Sequence, residues 1–189
     1  MPVSVVVGGQ YGSEGKGKVA HWLALKHGAA LAVRVGGPNS GHTVLVGNIK
    51  HVLRQVPTAA VEPGIRVAIG AGSYVEPDVL LREIDQLRLR PDRLSLDPAA
   101  VIVSARSRQA EVDAQLRARI GSTESGTGAA VESRVRRDGG AVFVSSVAAL
   151  QPFIRPVVPM IRGTVSDGLR VVVEGTQGFG LSQIGRAHV

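Results

Sequence analysis

The sequence predicts an α/β fold: a P-loop-NTPase-like, mainly parallel sheet flanked by helices and incomplete at its C-terminal end. Three observations predict it. Short valine-rich runs alternate with stretches of helical periodicity, and near-continuous apolar strands are those buried on both faces of a parallel sheet. The first two runs each lead directly into a glycine-rich loop, GGQYGSEGKGK from Gly8 to Lys18 and GGPNSGHT from Gly36 to Thr43. The chain is also long enough for one domain with a sizeable core, at 189 residues with 44% hydrophobic and 20% charged content.

Taken in order, Val3, Val5, Val6 and Val7 mark a strand over 3–8, and a helix follows over about 15–27. A second strand spans 30–35. Residues 43–46 and 49–53 flank Gly47-Asn48 and predict a hairpin. A strand over 66–69 precedes a helix over 77–89, with Leu80, Ile84 and Leu87 on one face and Pro91 as its stop. Residues 101–103 read as a strand, 107–120 as an amphipathic helix and 121–130 as a Gly/Ser/Thr loop. A strand over 141–144, a helix or turn around 147–153 and a buried strand over 169–174 complete the pattern. No internal repeat or linker divides it.

Composition narrows the function. The absence of cysteine excludes a disulfide framework or a thiolate metal site. No signal-peptide pattern or apolar stretch of membrane-spanning length is present, so a cytoplasmic protein with no membrane partner is expected. The net charge of +7 is not matched by aromatic content, which is 3%, and the arginines are dispersed. Binding of anionic mononucleotides and an arginine-rich dimer face would explain the charge at least as well as nucleic acid, and no nucleic-acid partner is expected.

In the first loop, glycines at 8, 9, 12, 15 and 17 allow positive φ and close approach to a ligand. Inward-facing amides, a helix beginning near Gly15, and the charges of Lys16 and Lys18 together suit the β and γ phosphates of a nucleotide. Gly12 to Lys18 fits the Walker spacing, but Val19 follows where that motif has the Ser or Thr that binds magnesium. An ordinary P-loop is therefore a poor match.

Together the two loops resemble the adenylosuccinate synthetase family, which carries G-[DS]-E-G-K-G-K and then G-G-x-N-[AS]-G-H-T in this order and at this spacing. The segments IGSTESGTGAAVESRVRR from Ile120 and VVVEGTQGFG from Val171 extend the resemblance to about Leu181. In the former, Glu124 and Ser125 replace the family's Gly-Arg pair.

The resemblance implies a ligase of purine biosynthesis. A nucleoside triphosphate, GTP or ATP, phosphorylates the 6-oxygen of IMP, and L-aspartate then displaces the phosphate to give adenylosuccinate. Gly12, Gly15, Lys16 and Gly17 would cradle the γ phosphate, with Ser13, Glu14, Gly41, His42 and Thr43 completing the nucleotide set. Ser13 and the Gly41 carbonyl would hold Mg²⁺, and His42 would act as general acid beside Lys16 and Ser13. Asn39, Thr123 and Gln177 would contact the purine monophosphate. Arg137, with Arg134 and Arg136 as rivals, would reach the 5′-phosphate of the neighbouring subunit in a homodimer.

Ser13 departs from the family, which mostly has Asp there as the base for N1 and a magnesium ligand. A serine hydroxyl is a far weaker base and carries no charge. It is also shorter, leaving room for a 2-amino group, as in phage-type relatives that make 2-aminoadenylosuccinate from dGMP and in short archaeal forms. IMP chemistry is the leading expectation, with dGMP the alternative. A nucleotide-binding module without ligase chemistry would not need GGPNSGHT, and a non-catalytic truncated fragment is a further alternative.

Residues 183–189, QIGRAHV, are what the adapter-like DNA CAG ATC GGA AGA GCA CAC GTC encodes, so 1–182 is expected to be the N-terminal part of one family domain and 183–189 a non-native tail. The family's guanine-reading N-K-x-D segment and arginine-rich aspartate loop lie further along, and the fragment alone is expected to be inactive.

Overall fold

Five parallel strands in the order β1-β9-β2-β5-β7 form the centre of the computed structural model, which describes residues 2–10, 12, 14–137 and 139–178. The elements run β1 (Val3–Val6), α1 (Lys16–Lys26), β2 (Ala29–Val35), β3 (His42–Val46), β4 (Ile49–Leu53), β5 (Arg66–Ile69), β6 (Tyr74–Val75) and α2 (Pro77–Gln86). They continue through β7 (Leu94–Leu96), β8 (Val101–Ile102), α3 (Ala105–Asp113), α4 (Leu116–Ile120), α5 (Thr127–Arg136), α6 (Val157–Ser166) and β9 (Arg170–Gly175). The last strand lies between the first two, pairing Val3 with Val171 on one side and Val33 with Val173 on the other.

Alternation along the strands sends side chains to two cores. Val6, Ala32, Val67, Ile69, Leu94, Leu96 and Val172 pack on one face against Ala20 and Ala24 of α1 and Leu80 of α2. Leu31, Val33, Ala68 and Val171 pack on the other against Val157, Met160 and Ile161 of α6. The predicted class, a mainly parallel sheet between helices, is therefore the observed one. Among the described residues no helix is long and apolar enough to cross a membrane.

The structure corrects several element boundaries, each through a contact distant in sequence or a left-handed residue. The helix expected over 77–89 ends at Gln86, because Arg88 takes φ 49°. The helix expected over 107–120 divides at Gln115, φ 50°, into α3 and α4. The loop expected over 121–130 becomes helix at Thr127, because the buried Glu111 carboxylate accepts hydrogen bonds from the N–H groups of Gly126 (2.8 Å) and Ala129 (3.2 Å). The strand expected over 141–144 reduces to one bridge, Val101 to Phe143. Helix α6 was not anticipated; its start is fixed by Asp97, whose side chain accepts from Val157 N–H at 2.9 Å.

A carboxylate also sets the path out of the hairpin. Glu83 of α2, buried, accepts from the consecutive N–H groups of Arg54 (2.5 Å), Gln55 (3.0 Å) and Val56 (2.9 Å). This leads the chain through Pro57 into a 3₁₀ turn, Thr58–Val61. Leaving a buried donor unsatisfied costs about 1–3 kcal/mol. Glu83→Ala is therefore expected to destabilise the fold by at least ~3 kcal/mol in urea unfolding, a far larger loss than for an exposed glutamate.

Candidate functional site: a phosphate loop and a histidine–carboxylate cluster

Strands β1, β9 and β2 are adjacent and parallel, so the loops that follow them open at one edge of the sheet. Ligands of open α/β sheets bind at this edge where strand order reverses. Glycines let the loops touch. A Cβ on Gly8 would lie 2.6 Å from Gly178 Cα, and one on Gly37 would lie 2.6 Å from the Thr127 methyl. Gly36 needs glycine for two reasons, its φ of 111° and the Thr176 hydroxyl 1.8 Å from where a Cβ would be.

The first glycine loop turns through Gly12 (φ 135°) and Gly15 (φ 75°), the latter serving as N-cap of α1. No side chain caps this helix, and its first turn holds Lys16, Gly17 and Lys18 with no acid. Two cations at the positive end of a helix oppose helix formation and suit an anion bound there. Lys16 is buried, and its Nζ lies 2.8 Å from Glu14 Oε2. The other Glu14 oxygen accepts from Gln10 N–H. The hydrogen bond from Lys16 holds the Glu14 carboxyl below the usual range against opposing burial, assisted by the N–H groups of Gln10 and Gly9. The chain's own carboxylate thus occupies donors suited to a phosphate. Ser13, expected as magnesium ligand and catalytic group, lies outside the described residues.

His42 opens β3 and is 6% exposed, facing Glu174 of β9, which is 1% exposed. Nδ1 of the ring lies 2.5 Å from Glu174 Oε1, and Nε2 lies 3.4 Å from the Thr176 carbonyl. Glu174 Oε1 also accepts from Arg34 Nη1 at 3.2 Å, while Oε2 accepts from the Thr58 N–H at 2.8 Å and lies 2.7 Å from its hydroxyl. Arg34, 2% exposed, donates further to the carbonyls of Leu53, Val56 and Ser40.

Other expected residues are placed unevenly. Asn39 and Gln177 are joined, Gln177 Nε2 donating to Asn39 Oδ1 at 2.8 Å. Gly41 is exposed beside His42, and Thr43 follows on β3, half-buried. Thr123 is exposed, and Thr127 is the residue of its loop that meets the second glycine loop, at Gly37. Arg137 caps the far end of α5, about 15 Å of helix away from Thr127. There it lines a cavity of about 290 Å³ with Gly72, Tyr74, Arg134 and Val135. Arg34, Thr58 and Glu174 were not anticipated as site residues. Glu174 had a sequence signal, its place in the EGTQG segment, whereas Arg34 and Thr58 had none.

Close packing joins helix α1 to the histidine. A Cβ on Gly17 would lie 2.6 Å from His42 Cβ and 2.8 Å from the Thr58 methyl. Overpacking of this kind costs about 1–3 kcal/mol, and Gly17→Ala is expected to lower stability by that amount in thermal unfolding.

Among the described residues no three His, Asp or Glu side chains group as a metal site. The Gly41 carbonyl, beside His42, is an oxygen donor of the kind a small hard cation takes when it brings most of its ligands with it as phosphates and waters.

A parallel sheet bearing a lysine- and glycine-rich loop and a buried histidine–carboxylate pair at the ends of adjacent strands defines an α/β protein with its candidate site at the strand ends. The family profile of adenylosuccinate synthetase matches residues 5–144. Adenylosuccinate synthetases of Pyrococcus horikoshii and Thermococcus onnurineus are 38% and 37% identical, each over 96% of this chain and 54% of the relative. The chain belongs to the adenylosuccinate synthetase family, and it spans about half the length of the curated relatives it matches. The fully ligated enzyme of Plasmodium falciparum superposes with a TM-score of 0.82 at 21% identity, over 95% of this chain and 52% of that one. The succinoaminodeoxyadenylate synthetase of cyanophage S-2L, solved with dGMP and with dATP as energy donor, has a TM-score of 0.78 at 27% identity, over 97% and 53%.

Proposed function

We propose that this chain supplies the phosphate loop and the proton-donating histidine of a homodimeric ligase that joins L-aspartate to IMP at the expense of a nucleoside triphosphate, giving adenylosuccinate. The observation that carries the reading is the His42–Glu174 pair packed against Gly17, the residue that follows Lys16 in the first turn of α1, Asn39 and Gln177 being joined nearby. The activity is assigned to the full-length protein, since the relatives carry nearly as much chain again.

Lys16 and the amides of the loop bind the γ-phosphoryl group and stabilise charge as it moves to the purine 6-oxygen. His42 presents Nε2 to that oxygen, donating a hydrogen bond or proton as charge builds there. The aspartate amine then forms the new C6–N bond as the C6–O bond breaks, releasing inorganic phosphate. Asn39 and Gln177 hold the monophosphate, and Arg137 serves the partner subunit's nucleotide. Mg²⁺, held in part by Gly41, would supply charge neutralisation on the phosphates.

Ser13 favours a second reading, in which the substrate is dGMP. The cyanophage neighbour was solved with that nucleotide. One assay on the full-length protein separates the readings: aspartate-dependent phosphate release with IMP or dGMP, and with GTP or ATP as donor. Turnover of IMP supports the first reading and turnover of dGMP alone the second. Phosphate release that ignores aspartate overturns both, and nucleotide binding without turnover leaves a non-catalytic fold.

A further inference from the structure

We propose that Glu174 is a positioning residue for His42, holding a proton on Nδ1 so that Nε2 is the nitrogen that gains and gives up the transferred proton, and that the Thr58 hydroxyl braces this carboxylate against helix α1. The inference rests on His42 acting through Nε2. A carboxylate only accepts hydrogen bonds, so at 2.5 Å the proton between Glu174 and His42 belongs to Nδ1. Nε2 lies 3.4 Å from the Thr176 carbonyl, at the far limit of hydrogen-bond reach, and is the nitrogen left to meet a substrate. A carboxylate behind a working imidazole fixes tautomer and ring orientation in this way.

Glu174 has little freedom to turn. Arg34 and His42 approach one oxygen and the Thr58 N–H and hydroxyl the other. Arg34 already balances its charge, so what Glu174 adds for His42 is direction. Thr58 is fully buried, and its single hydroxyl proton has two acceptors, Glu174 Oε2 at 2.7 Å and the Gly17 carbonyl at 2.8 Å. Gly17 follows Lys16 in the first turn of α1. The hydroxyl therefore ties the group that aims the histidine to the helix that carries the phosphate-binding lysine.

The test is ¹⁵N imidazole NMR of the labelled chain without substrate, with the His42 signals assigned by their loss in His42→Gln. Wild-type His42 is expected to show Nδ1 protonated and slow to exchange. Thr58→Val, which keeps the shape and removes the hydroxyl, is expected to speed Nδ1 proton exchange at least tenfold, and Thr58→Ser to restore it. Glu174→Gln is expected to give mixed tautomers; should it fail to fold, the Thr58 pair decides. A wild-type ring with Nδ1 unprotonated, or wild-type exchange in Thr58→Val, overturns the proposal. These readouts involve no nucleotide, so failure of the aspartate assay leaves them standing and removes only the reaction they serve.

Discussion

Glu174→Leu is expected to destabilise the fold by about 3–5 kcal/mol, because it strands the Arg34 guanidinium, 2% exposed, without its counter-charge. Against a total of about 5–15 kcal/mol for a domain, this is a large fraction. Urea unfolding measures it. Converting the partner as well, in Arg34→Met with Glu174→Leu, is expected to recover part of the loss, since removing both members of a buried pair avoids the lone charge. A pH series adds a second signature. Burial pushes the Glu174 carboxyl up, but the hydrogen bond from His42 and the charge of Arg34 outweigh it and hold the group below the usual carboxylate range. A carboxyl depressed on folding stabilises the protein above its unfolded value, about 4.3, and loses that contribution as pH falls through the folded value. Wild-type stability is therefore expected to fall more steeply below about pH 4 than that of Glu174→Leu. Parallel curves would show that this carboxylate stays out of acid unfolding.

The second large effect falls on activity. Lys16→Met in the full-length protein is expected to lower aspartate-dependent turnover about 10²–10³-fold, the usual loss when one preorganised charge-stabilising donor is removed. Stability is expected to change by less than about 1 kcal/mol, because a cation in the first turn of a helix opposes the helix dipole. A variant that folds normally and turns over normally would place phosphate binding elsewhere. One that unfolds would make Lys16 a structural residue.

What could be read from the chain alone followed a physical division. Strands β1, β2 and β5 and helix α1 were legible because each carries its own periodicity and is bounded by glycine. Both glycine-rich loops were legible because their residues are contiguous. Helices α5 and α6 were not, since their N-termini are satisfied by Glu111 and Asp97, carboxylates 15 and 60 residues away. The same limit applied to the site. His42 was evident within NSGHT, whereas its dependence on Glu174 spans 132 residues and that of Glu174 on Thr58 spans 116. A hydroxyl in the run QVPT carries no local mark of such a role.

The placement of β9 between β1 and β2 governs how the molecule comes into being on the ribosome. Val3 finds its hydrogen-bonding neighbour only when Val171 has been made, and at about 5–20 residues per second the first strand waits on the order of 10–30 s. During that interval β2 can pair with β5, but the slot beside it stays open and apolar, a vulnerability to chaperones and to misplaced strands. Pairing over so long a stretch of chain is also intrinsically slow. Because Glu174 arrives on the same strand, His42 stays without its carboxylate until the sheet closes. Closure of the sheet and pairing of the histidine with its carboxylate are therefore one event.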